Sequence, residues 1–322
     1  MSVPMVGAGL GFGWKKDSNI YFVDGIQGSN DNIGNEPDDS LATIEKALTK
    51  ANAYDVIYVM DKATSSSILA GYTGASANQT ITTSHTGLAL IGVSHAALAG
   101  YPMTPALIGL AATETPILTV QAHHVAIENL AFVGGWANST TATCGIKTND
   151  NYQGFGISIY NCMFEDLEAA TPTMSHASGT PGGGISLIGG WYSVVSHCRF
   201  RNCVTGIQVM SGTTTAVATT LEDNIFFADA TTDVNVDIAT YCQGTNSVLI
   251  KGNYFAHNLP TYASGDAVRY IYCFGAEVGI ITDNHLGHSS VLTAGPAGTG
   301  IIAPATCGVG VNYCECALMA SG

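Results

Sequence analysis

Positive charge is scarce in this 322-residue chain: 10 Lys and Arg stand against 24 Asp and Glu, a formal net charge of −14. Nucleic acid, an anionic membrane or a polyanionic pectate each needs a basic footprint on its partner, so all three are excluded and neutral or cationic partners are favoured. Charged residues of either sign make up only 11% of the chain. Metal-binding spacings are missing as well. Cys314-Glu-Cys316 has no second pair at zinc spacing, His285-x-x-His288 has no third ligand in register, and His123-His124 is read as two strand neighbours on opposite faces. No metal and no other cofactor is expected. The apolar N-terminus, Met1 to Trp14, has no basic residue ahead of it, with Lys15 and Lys16 following and four glycines interrupting any helix. It is read neither as a signal peptide nor as a membrane span.

What the chain does have is 46% hydrophobic residues and 38 glycines, enough for one large elongated domain. Its nine cysteines are odd in number, so at least one is unpaired. Free cysteine behaves as a small buried hydrophobe, and the set is read as core filling in a chain folded in a reducing cytosol.

Six segments repeat one pattern, an aliphatic residue followed five positions later by Phe or Leu: Ile127/Phe132, Ile159/Phe164, Val195/Phe200, Leu221/Phe226, Ile250/Phe255 and Ile281/Leu286. Two before the aromatic stand Leu130, Cys162, Cys198, Asn224, Asn253 and Asn284, read as an inward column. Four before it stand Glu128, Tyr160, Ser196, Glu222, Lys251 and Thr282, read as outward. Columns recurring every 26 to 36 residues imply strands stacked as rungs of a solenoid. A second strand follows in each rung, marked by Gly145-Ile146, Gly184-Ile185, Gly206-Ile207, Val236, Val268 and Gly300-Ile301. The spacing from there to the next rung is nearly constant, whereas the spacing from each Phe forward varies from 7 to 21 residues. Insertions are therefore concentrated at one corner, where binding surfaces are expected, in segments 133–144, 165–183, 201–205, 227–233, 256–266 and 287–299. Trp136, Tyr152, Trp191, Tyr192 and Tyr262 are placed in or beside that corner, where they would stack on sugars or line a subunit interface.

On these columns the chain resembles the pectin-lyase-like superfamily, and the resemblance implies an all-β, right-handed single-stranded parallel β-helix over residues 19–310. Asn19-Ile-Tyr-Phe-Val-Asp-Gly, Asp39-Ser-Leu-Ala-Thr-Ile-Glu-Lys-Ala-Leu and Asp55-Val-Ile-Tyr-Val look like the strand, capping helix and first coil of such proteins. Ser40 is read as the helix N-cap, with Leu41, Ile44, Ala47 and Leu48 as the stripe that closes the coil, so that residues 19–60 form the cap. Asn224, Asn253 and Asn284 resemble the asparagine ladder of this fold. Function does not follow from it, since the family includes lyases, hydrolases, adhesins and virus spikes.

A polysaccharide lyase of this kind needs acidic calcium ligands beside a basic residue, and none of Arg199, Arg201 and Arg269 has such a cluster in register. A glycosidase needs two carboxylates, about 5–5.5 Å apart for retention or about 6.5–9.5 Å for inversion. The column three before the aromatic runs Asn129, Asn161, His197, Asp223, Gly252, Asp283, which sets Asp223 and Asp283 two rungs, about 9–10 Å, apart across a glycine that would leave room for a sugar. Asp223, Asp283 and His197 are the catalytic candidates. The competing reading is turn chemistry, because Asp and Asn are the usual residues where a strand enters a turn.

Residues 1–18 are read as an extended docking arm and 311–322 as a short apolar tail. Val3, Val6, Leu10, Phe12 and Trp14 would bury their side chains only against a partner. A chain read as unsecreted, with an apolar arm at each end and no catalytic motif, resembles the β-helical virion proteins of tailed bacteriophages. That resemblance implies a non-enzymatic homotrimer, folded in the host cytoplasm, that decorates the capsid surface by docking its arm on the major capsid protein or another virion protein. The alternative is a tailspike or receptor-binding protein that binds a cell-surface glycan, or cleaves it as a glycoside hydrolase.

Overall fold

The computed structural model describes residues 18–60, 72–73, 79–93, 106–108, 116–134, 144–148, 154–167, 183–189, 191–203, 205–210, 218–228, 236–241, 247–257, 269–274, 278–288, 301–303 and 307–314. They form a right-handed parallel β-helix with three sheets. Each turn of the coil visits them in the same order. The first sheet has ten strands, from Ile20–Val23 to Cys307–Val309; the second has nine, from Tyr72–Thr73 to Tyr313–Cys314; the third has eight, from Gln79–Ile81 to Ile301–Ile302. Among the described residues every strand pairing is parallel, as a coil requires.

The columns read from the sequence are the register. Ile127, Ile159, Val195, Leu221, Ile250 and Ile281 pair in succession along the first sheet. Phe132, Phe164, Phe200, Phe226, Phe255 and Leu286 pair along the second. The five phenylalanines form a continuous stack, with centroids 5.1, 4.9, 4.7 and 4.9 Å apart and planes tilted by no more than 10°. In-register stacking comes at little cost here, because the rung spacing is close to the separation that offset rings prefer.

The aliphatic and the aromatic do not share one strand, as the pattern suggests. A turn residue separates two three-residue strands, for example Ala126–Glu128 and Ala131–Val133. Asn129, Asn161, His197, Asp223 and Asp283 hold φ between 49° and 57°, with Gly252 at 68°. This left-handed residue swings the chain through a corner. It allows both Ile127 and Phe132 to face the core, at 0% exposure.

The third-sheet column also departs from expectation. Ile207 pairs with Ile238 and Ile238 with Ile271, whereas Val236 pairs with Thr205; Val268 lies outside the described residues. The glycine before each isoleucine accommodates the phenylalanine of the following rung. A Cβ on Gly145, Gly184 or Gly206 would stand 2.8, 2.7 or 2.6 Å from the ring of Phe164, Phe200 or Phe226. Further along, that position is filled by Asp237 and Tyr270, and Tyr270 tilts against Phe255 at 5.4 Å while its hydroxyl donates to the Gly287 carbonyl at 3.3 Å. Sequence templates built on Gly-Ile therefore fail at those two rungs.

The inward column before the aromatics is a polar ladder inside a dry corner. Asn224 Nδ2 donates to Asn253 Oδ1 at 3.0 Å, Asn253 to Asn284 at 2.9 Å, and Asn284 to Asn312 at 2.9 Å, one rung beyond the predicted set. Cys162 and Cys198 occupy the same backbone socket. Each thiol donates to a carbonyl two residues back and to one on the preceding rung, Ile127 or Ile159. Cys144, Cys162, Cys198 and Cys203 are free thiols and buried, Cys273 is buried, and Cys307 is partly exposed.

At the N-terminal end the helix Ile44–Lys50 closes the coil with Leu41, Ile44, Ala47 and Leu48 inward, as expected. Its N-cap is Thr43 rather than Ser40. The Thr43 hydroxyl accepts from the Lys46 amide at 3.2 Å, while Leu41 bridges to Val23 and keeps the chain extended past Ser40. His85 ties the helix down, with Nε2 3.0 Å from the Leu48 carbonyl. At the other end, strand pairing continues to Cys314, four residues into the segment read as a tail. Among the described residues no helix is long and apolar enough to cross a membrane.

Candidate functional site

The predicted catalytic column lies on the corner between the first and second sheets. His197, Asp223 and Asp283 are exposed there as left-handed turn residues. The space over Gly252 is not an open sugar site: a Cβ at that glycine would collide with Asp223 Oδ1, so the aspartate leans over the gap itself. His197 packs on Tyr160, centroids 5.1 Å apart, and Asn161 Nδ2 donates to Asn129 Oδ1 at 2.7 Å. Beside them Glu128 is half-buried in register with Ile91 and Tyr160, and burial pushes its carboxyl above the ordinary value. Glu222, the next carboxylate in that outward column, is three rungs away, about 14 Å by strand spacing, which is too far for either glycosidase geometry. This corner also faces away from the third sheet. Arg201 is engaged by Glu165 in an ion pair and approaches the Phe227 ring at 6.0 Å, which leaves Arg199 exposed one column over.

The outer face of the third sheet carries a polar column that the candidate set missed. Thr80, Thr119, Lys147, Ser186, Gln208, Ala239 and Tyr272 follow one another in register. Thr119, Lys147, Gln208 and Tyr272 are half-buried, and Ser186 is fully buried. The Ser186 hydroxyl has no hydrogen-bond partner in the protein. A buried hydroxyl left unpaired costs about 1–3 kcal/mol, so its retention needs a reason. The sequence signal was present, since Lys147, Ser186 and Gln208 each directly follow the isoleucine of a Gly-Ile pair. On one side this face meets the variable corner, most of whose insertions lie outside the described residues, Trp136 and Tyr262 included.

On its other side lies the constant corner, from the third sheet to the first. Trp191 and Tyr192 sit here rather than at the variable corner, because they follow the third-sheet strand Gly183–Ile188 and precede Val194–Ser196. His123 and His124 are also turn residues of this corner, not strand neighbours, and their ring centroids are 6.5 Å apart. Burial, and then the charge of His124, holds His123 below the ordinary histidine value. His123, Phe155 and Trp191 stack in order, at 4.7 and 4.9 Å. Tyr54, Gly87, His124, Gly156, Tyr192 and Ala218 hold left-handed positions here, with φ from 54° to 77°, and Gly154 and Gly189 are left-handed as well.

Among the described residues no three His, Cys, Asp or Glu side chains come together as a metal site. The docking-arm residues Val3, Val6, Leu10, Phe12 and Trp14 lie outside the described residues.

No family model matches the sequence, and no curated protein matches it. Among solved structures, the chain is similar to a GH136 lacto-N-biosidase from Eubacterium ramulus, at 12% identity and a TM-score of 0.53, over 93% of this chain and 68% of that one. It is also similar to a rhamnogalacturonan lyase, at 12% identity and 0.46 over 92% and 87%. A third is the tailspike protein of Acinetobacter phage vB_ApiP_P1, at 12% identity and 0.28 over 71% and 49%. At such identities likeness extends to the fold alone: the chain is a right-handed parallel β-helix.

Proposed function

We propose that this protein binds a glycan on the outer face of its third sheet. The observation that carries the reading is the column Thr119, Lys147, Ser186 and Gln208, half-buried except at the fully buried Ser186, in which hydroxyl, amine and amide groups recur at one-rung intervals and the Ser186 hydroxyl lacks a protein partner. A saccharide presents hydroxyls of both donor and acceptor kind, and a groove floor of this composition suits it. The net charge of −14 favours a neutral glycan over a polyuronate. Binding is preferred to cleavage, because Asp223 and Asp283 stand on the opposite corner and the raised-pKa acid Glu128 has Ile91 and Tyr160, not a carboxylate, as its in-register neighbours. The lacto-N-biosidase is named for action on a saccharide, which supports testing saccharides first. The test is binding of the full chain to immobilised neutral and acidic polysaccharides. Gln208→Ala and Lys147→Ala should each weaken binding about tenfold with the melting temperature unchanged. Binding insensitive to both would reject the groove.

Capsid decoration remains a second reading, favoured by the apolar arm Val3–Trp14. Deleting residues 1–16 should then give a folded trimer that no longer sediments with undecorated phage heads.

A further inference from the structure

Among the described residues, turn residues leading into six successive first-sheet strands alternate in size along the axis: Tyr54, Gly87, His124, Gly156, Tyr192, Ala218. That they form one column is shown by the backbone bonds between successive turns, Tyr54 to Thr86, Gly87 to His123, His124 to Phe155 and Gly156 to Trp191. Large rings therefore recur every second rung, about 9.4–9.8 Å apart, with a residue of minimal bulk between. Tyr192 is 60% exposed and His124 is exposed, while Tyr54 is half-buried. Behind them the stack His123–Phe155–Trp191 gives the ridge a rigid backing, and the Phe155 amide donates to His123 Nδ1 at 3.3 Å.

Among the described residues of this ridge there is no Lys or Arg, and Asp150, between Thr148 and Gly154, lies outside them. Among its described residues the one charged side chain is Asp55, which is 2% exposed and accepts from the backbone amides of Asn19 and Asn52 at 2.7 and 2.8 Å. What remains outward is aromatic face, phenol, imidazole, hydroxyl and amide: Thr82, Thr83, Ser84, Gln121 and the three rings. Acidic polysaccharides find no cationic partner on such a surface. Uncharged sugars, which offer apolar C–H faces and hydroxyl edges, match it in both respects.

From this periodicity and chemistry we infer that the ridge is a binding track for an extended, uncharged polysaccharide lying along the coil axis, with each disaccharide repeat spanning two rungs. An extended pyranose chain advances by one disaccharide over a comparable distance. Every second sugar would then meet a ring of Tyr54, His124 or Tyr192; the Tyr54 ring leans over Gly87 and the His124 ring over Gly156, so each of these rings, rather than a gap, covers the second rung of its repeat. The inference rests on the groove reading, since the ridge borders the third-sheet face and names the class of glycan that face receives.

The test is affinity electrophoresis of the full chain in gels containing hydroxyethylcellulose or galactomannan, with polygalacturonate as the acidic comparator. Retardation is expected in at least one neutral gel and absent in polygalacturonate. It should fall at least tenfold in Tyr192→Ala and further in the double variant with His124→Ala, while Tyr192→Phe, which keeps the ring, retains most of it. Ala218 already holds the same left-handed geometry, so alanine is tolerated at this turn. An independent readout on the unaltered protein is oligosaccharide length: affinity should rise in steps of two sugars until the ligand spans Tyr54 to Tyr192, about 19 Å. Loss of retardation in Gln208→Ala with none in the double ridge variant would overturn the ridge and leave the groove standing. Equal or stronger retention by polygalacturonate, no retention in any neutral gel, or an affinity already maximal at two sugars would overturn the ridge as well.

Discussion

Replacing Asn253 by alanine tests whether the ladder or the apolar core holds the corner together. Asn253 Oδ1 accepts from both the Asn224 amide and Asn224 Nδ2 at 3.0 Å, and its Nδ2 donates to the Leu221 carbonyl at 3.0 Å and to Asn284 Oδ1 at 2.9 Å. All four groups lie among residues with 0% exposure, so water cannot replace the lost partner without opening the coil. Each buried group left unpaired costs about 1–3 kcal/mol, which gives a sum of about 4–12 before relaxation. Allowing for non-additivity in a connected network, the expected loss is about 4 kcal/mol. Asn253→Cys should cost about half as much, because Cys162 and Cys198 already fill this socket by donating to backbone carbonyls. Denaturant titration measures the stability loss, and amide exchange at Asn224 locates it. A loss below about 1 kcal/mol for Asn253→Ala, or unchanged exchange at Asn224, would refute the claim that the ladder is a structural element.

Gly184→Ala should destabilise the coil by about 2 kcal/mol or more, since its Cβ would meet Phe200 at 2.7 Å and the Gly206 carbonyl at 2.6 Å; equilibrium unfolding provides the check. Burial pushes the Cys144 thiol up to about 12, and Cys198 and Cys203 also well above the ordinary value of 9.0. Their native pKa exceeds the unfolded one, so the stability they contribute is complete below about pH 9 and is lost as pH rises from there towards 12; a pH series of melts should fall in that window, and native protein at pH 8 should leave these thiols unreactive to a disulfide reagent. Asp223→Asn and Asp283→Asn should leave glycan binding unchanged, whereas a hundredfold loss of any turnover in a folded variant would restore the glycosidase reading.

The register was legible because burial constrains it. Six aliphatic positions, and a second column of five phenylalanines and Leu286, must face the core, and a one-residue slip would expose a whole column. The corner inside the repeat was also legible. Two inward residues five apart cannot share a uniform strand, where inward positions fall at even spacing, so Ile127 and Phe132 required a bend between them. Turn chemistry then accounts for the left-handed backbone at Asp223 and Asp283. What the sequence concealed was the outward surface. Nothing in burial fixes the identity of Lys147, Ser186 or Gln208, and the alternation of Tyr54, His124 and Tyr192 with smaller residues is seen only when the unequal lengths of successive rungs are aligned. At Ser40 a good capping residue lost to Thr43 because the bridge from Leu41 to Val23 delays the start of the helix.

The parallel pairing of all three sheets gives the rod a mechanical anisotropy. Bonds between rungs point along the coil axis, so tension applied end to end loads them one rung after another, and the structure would part like a zipper at its weakest rung. A force applied sideways to one face is resisted by the phenylalanine stack, the asparagine ladder and three sets of backbone bonds together. A ligand that lies along the axis and grips several rungs at once would splint the rod against the direction in which it is softest.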